Sequence, residues 1–98
     1  SAEISARREL LEETGYGNGK WELFMTTSAS PGTHTNTTYC FLATDVEKIS
    51  EQHLEDTEDI SVHLLSIDEL VELLKKDEIR QSMHAAALWK YLATNHLI

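Results

Sequence analysis

Along residues 2–14 the acidic and apolar positions separate by angle. At about 100° per residue, Glu9, Glu12 and Glu13 fall within roughly 100° of arc, while Ile4 and Leu11 point to nearly the opposite side. The stretch is rich in helix formers and ends at Gly15, which can take the left-handed conformation that closes a helix. Tyr16 to Lys20, with two glycines and an asparagine, reads as a turn. Trp21 to Thr27 mixes aromatic, threonine and apolar residues as strands do. Ser28 to Thr37 holds the only proline and reads as a loop. Thr38 to Thr44 is a second strand, apolar enough to be buried on both faces. Glu47 to Asp59 is acidic without an apolar period and is placed mostly in a loop, and a third strand is expected over Ile60 to Leu65. Ser66 followed three residues later by Glu69 forms a capping box that opens an amphipathic helix through Lys76, with Ile67, Leu70, Leu73 and Leu74 as its core stripe. A final helix is expected from about Gln81 to Thr94, packing through Met83, Ala86, Ala87 and Leu92. The order of helix, strands, helix and helix gives an α/β (α+β) layer arrangement rather than a bundle or a sandwich of sheets.

Composition narrows the function classes. The 98 residues carry 26% charged and 41% hydrophobic positions, which describes one globular domain. A net charge of −9 repels nucleic-acid phosphates and anionic membrane surfaces, so neither a nucleic-acid polymer nor a membrane is an expected partner. The lone Cys40 cannot form an internal disulfide and fits a reduced compartment, which gives a cytoplasmic expectation. The five histidines show no zinc-ligand spacing.

The candidate chemistry lies in the first helix. Glu9 and Glu13 are one helical turn apart, roughly 6 Å of rise, so their carboxylates can converge on one cation or bridge two, with Glu12 flanking. Gathering three carboxylates without a cation costs repulsion. The alternative reading of the same residues is a solvated acidic helix face.

The run Arg8-Glu9-Leu10-Leu11-Glu12-Glu13-Thr14-Gly15-Tyr16 resembles the second half of the Nudix box, the motif of enzymes that cleave a diphosphate linked to another group. Ordinary residue frequencies give a chance match on the order of 10⁻⁵ for a chain of this length. The resemblance implies that Glu9, Glu12 and Glu13 are metal ligands for Mg²⁺ or Mn²⁺, with Glu9 also a base in some members. It implies that Arg8 orients a glutamate by a salt bridge and that Gly15 supports the motif. Counting back from Arg8, the first glutamate and glycine of the box would precede Ser1. Residues 1–98 are therefore expected to be the C-terminal portion of a single Nudix domain, an α/β/α sandwich with a mixed sheet whose N-terminal strands are missing. Such a fragment is expected to turn over weakly or not at all, and to associate, most simply as a homodimer, through its unpaired strand edges and uncovered apolar face, or to be held by a missing N-terminal piece.

Further along, Leu54-Glu55-Asp56-Thr57-Glu58-Asp59-Ile60-Ser61-Val62 and Ser66-Ile67-Asp68-Glu69-Leu70 are similar to the acidic loop, strand and helix start of ADP-ribose pyrophosphatases. In those enzymes a loop glutamate activates or positions the attacking water. The alignment favours Glu58, with Glu55 as runner-up, and a solvated acidic loop is the plain alternative. Ala29-Ser30-Pro31-Gly32 resembles the substrate loop of the same enzymes, but His34, Thr35 and Asn36 follow where an acidic residue is usual. That departure opens the substrate to other nucleoside diphosphate derivatives. The resemblance implies a metal-assisted hydrolase that converts such a compound into a nucleoside monophosphate and a phosphorylated group. The rival functions are a noncatalytic Nudix-like module binding a nucleotide or protein, and an acidic interaction domain without a ligand.

Overall fold

The structure is a computed structural model that describes residues 1–28 and 36–98. Its elements in chain order are α1 (Ala2–Thr14), β1 (Tyr16–Gly17), β2 (Lys20–Ser28), β3 (Thr37–Thr44), β4 (Glu47–Lys48), α2 (Ile67–Lys75) and α3 (Ser82–Thr94). This is a mixed α+β chain, in agreement with the expected fold class. It divides into two compact units, Ser1–Thr26 with Thr38–Val62, and Thr27–Thr37 with His63–Ile98. Among the described residues no helix is long and apolar enough to cross a membrane.

In the first unit, α1 begins at Ser1, whose hydroxyl accepts the Ile4 amide at 3.2 Å. It ends at Gly15, which takes φ 79° and donates its amide to the Leu11 carbonyl. A left-handed residue with a side chain would be strained there, and a Cβ at Gly15 would also overlap the Ser50 carbonyl oxygen. The expected packing side of α1 is only half realised. Leu11 lies beside Gly17, but Ile4 is 68% exposed, because what α1 packs against sits at its C-terminal end.

The expected turn at Tyr16 to Lys20 and the expected loop from Glu47 contain a short ladder instead. β1 pairs with β4 antiparallel, Tyr16 opposite Lys48 and Gly17 opposite Glu47. Gly17 allows the pairing, since a Cβ there would lie 2.7 Å from a methyl of Ile49. Two residues per strand are too few for any alternation to show in sequence. Asn18 reinforces the ladder by donating to the Glu47 carboxylate at 3.1 Å.

β2 and β3 pair with each other. Contrary to expectation, β3 is not buried on both faces: Tyr39 is 53% exposed, and Leu23 on β2 is 52% exposed. Two strands alone cover their faces poorly. The third strand expected over Ile60 to Leu65 does not form, and Leu64 is 76% exposed. Its apolar residues have strand propensity, but propensity without a ladder partner does not make a strand.

The second unit holds α2 and α3. The capping box is present in full: the Ser66 hydroxyl accepts the Glu69 amide at 3.1 Å, and the Glu69 carboxylate accepts the Ser66 amide at 2.9 Å. α2 closes with Asp77 in the left-handed region, where Asp77 donates to the Leu74 carbonyl and Glu78 to that of Leu73. α3 closes in the same way, with His96 left-handed and donating to Ala93 while Leu97 donates to Leu92. Leu74 and Leu92 are the buried core residues of these helices, whereas Ala86, expected to pack, is exposed.

Candidate active site

A helix leaves its last four carbonyls without intrahelical donors, and its negative dipole end lies there. At the end of α1 the carbonyls from Glu12 to Gly15 find partners from one distant stretch, residues 48–53. His53 donates its amide to the Glu12 carbonyl at 2.7 Å, and the Gln52 side-chain amide donates to the Glu13 carbonyl at 2.8 Å. The Lys48 ammonium reaches the Thr14 carbonyl at 3.2 Å, and the Ile49 and Ser50 amides converge on the Gly15 carbonyl at 2.9 and 3.1 Å. Lys48 also brings a positive charge to the dipole's negative end and stands 5.8 Å from the centre of the Tyr16 ring.

This clasp brings the acidic loop after Gln52 to the acidic helix. The Glu13 carboxyl is pushed above its ordinary value, first by partial burial and then by the negative charges of Glu58, Glu9 and Glu12. The four residues singled out from sequence thus share one electrostatic neighbourhood. Glu58 is fixed within its loop by a reciprocal pair: its amide donates to the Glu55 carbonyl at 2.9 Å and its carboxylate accepts the Glu55 amide at 2.8 Å. Arg8 lies 3.8 Å from the Glu12 carboxylate, one turn along α1, an exposed ion pair suited to orienting that glutamate.

Beside Glu9 and Glu13 lies a cavity of about 460 Å³, also lined by Trp21, Tyr39, Cys40 and Phe41. Trp21 is braced there by its indole N–H, which donates to the Asn18 carbonyl at 2.9 Å, and by the Arg7 guanidinium 5.1 Å from the ring centre.

The donor chemistry suits a hard divalent cation, which takes carboxylate oxygens and would relieve the repulsion that adds to burial in raising Glu13. As the side chains stand, no three His, Cys, Asp or Glu among the described residues converge into a ready ligand set. Ser30, Pro31 and Gly32, the expected substrate loop, lie outside the described residues. Sequence reasoning missed Gln52 and Lys48, whose roles come from pairing across more than thirty positions of the chain. No local pattern marks them.

The NUDIX domain model matches residues 1–87. The GDP-mannose pyrophosphatase of Escherichia coli (strain SMS-3-5 / SECEC) is 34% identical over 102 residues, covering 98% of this chain and 51% of that protein. The proteins of the same name from Escherichia coli (strain K12) and Shigella boydii serotype 4 (strain Sb227) match with the same identity and coverage. The chain therefore spans about half the length of the curated relatives it matches. No solved structure matches it significantly. The chain belongs to the NUDIX domain family.

Proposed function

We propose, from that membership and from the acidic loop held against the glutamate-bearing helix α1, that the chain carries the catalytic helix of a metal-assisted pyrophosphohydrolase acting on nucleoside diphosphate sugars. The observation that carries the reading is the set of hydrogen bonds from Gln52 and His53 that seats the Glu58 loop on the helix bearing Glu9, Glu12 and Glu13. The relatives named for GDP-mannose make a sugar nucleotide of that type the first substrate to try. ADP-ribose belongs to the same chemical class, but the residues after Gly32 depart from the ADP-ribose pattern.

In this reading Glu9, Glu12 and Glu13 would hold Mg²⁺ or Mn²⁺. The cation would supply neutralisation of the diphosphate charge and a lowered pKa for the attacking water. Glu58 accepts a proton from that water as its oxygen bonds to one phosphorus of the P–O–P bridge. The bridging bond breaks, and its electron pair leaves with the second phosphate. The products are a nucleoside monophosphate and a sugar phosphate. Glu58 needs only to lie within reach of the attacking water to take its proton. Arg8 holds Glu12 in place, and the cavity beside Glu9 and Glu13 offers room for the rest of the substrate, with Trp21 and Tyr39 on its wall.

The test is to incubate the chain with GDP-mannose and Mn²⁺ and follow the phosphorus resonances over hours. Even slow turnover is expected to stop without the metal and to fall about a hundredfold or more in Glu13→Gln. Turnover that persists without the metal, or a variant as fast as the parent, would contradict the reading.

A further inference from the structure

We propose that Gln52 is a positioning residue that holds the Glu58 loop against the catalytic helix, an inference resting on the reading of Glu58 as the base. Gln52 is half-buried, and its side-chain amide donates to two main-chain carbonyls, that of Glu13 at 2.8 Å and that of Ile60 at 3.0 Å. Both partners are acceptors, so only the NH₂ end of the amide can face them, and the flipped orientation would set oxygen against oxygen.

The two bonds have a mechanical consequence. Gln52 and Ile60 are the two ends of the acidic loop, so one side chain closes the loop and ties it to the main chain of Glu13. The adjacent His53 amide, bonded to the Glu12 carbonyl at 2.7 Å, fixes the loop's entry on the same turn of α1. Inside the loop, Glu58 is locked to Glu55 by its own pair of bonds. A continuous run of hydrogen bonds and short chain segments therefore links the Glu13 carbonyl to Glu58.

Electrostatics explains why such a tie is needed. The loop contains Glu55, Asp56, Glu58 and Asp59, and it faces a helix end carrying Glu9, Glu12 and Glu13. Like charges push the two apart, most strongly when no cation is bound. A neutral donor bonded to main-chain oxygens resists that repulsion without neutralising the carboxylates that the chemistry uses. A lysine in its place would pair with them.

Two substitutions test the proposal: Gln52→Ala, and the isosteric Gln52→Glu, which keeps the shape but turns acceptors toward both carbonyls. Amide hydrogen exchange on the metal-free chain is expected to accelerate about tenfold at His53 and Glu58 in both variants, with Leu70 in α2 unchanged as the control. Unchanged exchange at both loop amides would overturn the proposal. In the hydrolysis assay Gln52→Ala is expected to lower kcat about tenfold with KM unchanged, and to cost nothing more in a Glu58→Gln background. A cost equal in the two backgrounds would show that Gln52 acts on general stability and would overturn the positioning role. If Glu58→Gln alone turns over as fast as the parent, the base reading falls, and the exchange rates still decide whether Gln52 holds the loop.

Discussion

Two helices of this chain end in opposite ways. α2 is closed by its neighbours in sequence: Ser66 and Glu69 cap its start, and Asp77 and Glu78 donate to the Leu74 and Leu73 carbonyls in its last turn. α1 has a local cap at Ser1, but every carbonyl from Glu12 to Gly15 is satisfied by residues 48–53. A locally closed helix needs nothing from elsewhere to keep its ends. A helix closed from a distance can carry information, because whatever closes it is brought to a defined place. Here the closing segment delivers the Glu58 loop to the carboxylates of α1. The chain uses the autonomous solution where a helix only packs, and the dependent one at the candidate active site.

The comparison breaks most readily at Gly15. An alanine there would hold a left-handed conformation and overlap the Ser50 carbonyl oxygen, so Gly15→Ala is expected to cost roughly 3 kcal/mol in urea unfolding. Amide protection should be lost at Ile49, Ser50 and His53 together, since all three belong to the clasp. Protection at Leu70 should be kept, because its bond to the Ser66 carbonyl belongs to α2 alone.

A smaller effect is expected where closure is local. Ser66→Ala removes the acceptor for the Glu69 amide and should cost about 1 kcal/mol, confined to the first turn of α2. The Glu69 carboxyl lies below its ordinary value, because the Ser66 amide and then the Ser66 hydroxyl bond to it. Its contribution is therefore complete above the unfolded carboxylate range and is lost as pH falls through its lowered folded value. A urea series at several pH values reads this directly: the cost of Ser66→Ala should shrink on the acid side. An equal cost at every pH would separate the two halves of the capping box.

What the sequence made legible follows the same division. Gly15 as the end of α1, the Ser66–Glu69 capping box and the extents of α2 and α3 rest on neighbouring residues, and the structure bears them out. The pairing of Tyr16–Gly17 with Glu47–Lys48 and the hydrogen bond from Gln52 to the Glu13 carbonyl depend on contacts across about thirty positions or more, and nothing in the local pattern announces them. The strand expected over Ile60 to Leu65 failed for a related reason, since its apolar residues promised pairing that no other strand supplies. At the site, the spacing of Glu9, Glu12 and Glu13 was legible because a helix turns regularly. The resemblance singled out Glu58 within its loop, while the clasp that holds that loop to α1 was visible only in three dimensions.

The proposed cation site on Glu9, Glu12 and Glu13 can be tested without turnover. The sign of the pH dependence gives the test a sharp form. Because the Glu13 carboxyl is raised, its effect on the metal-free fold is most favourable below the ordinary carboxylate range and is lost as pH rises through the raised folded value. A bound cation needs the deprotonated form, so metal affinity should run the other way. The direct measurement is a Mn²⁺ titration followed by electron paramagnetic resonance, from about pH 4 to about pH 8, on the parent chain and on Glu13→Gln. The parent is expected to bind more tightly as pH rises through the Glu13 range, and the variant to bind about tenfold or more weakly. Equal affinity of the two chains, or a parent whose Mn²⁺ binding does not respond to pH, would contradict the proposed site.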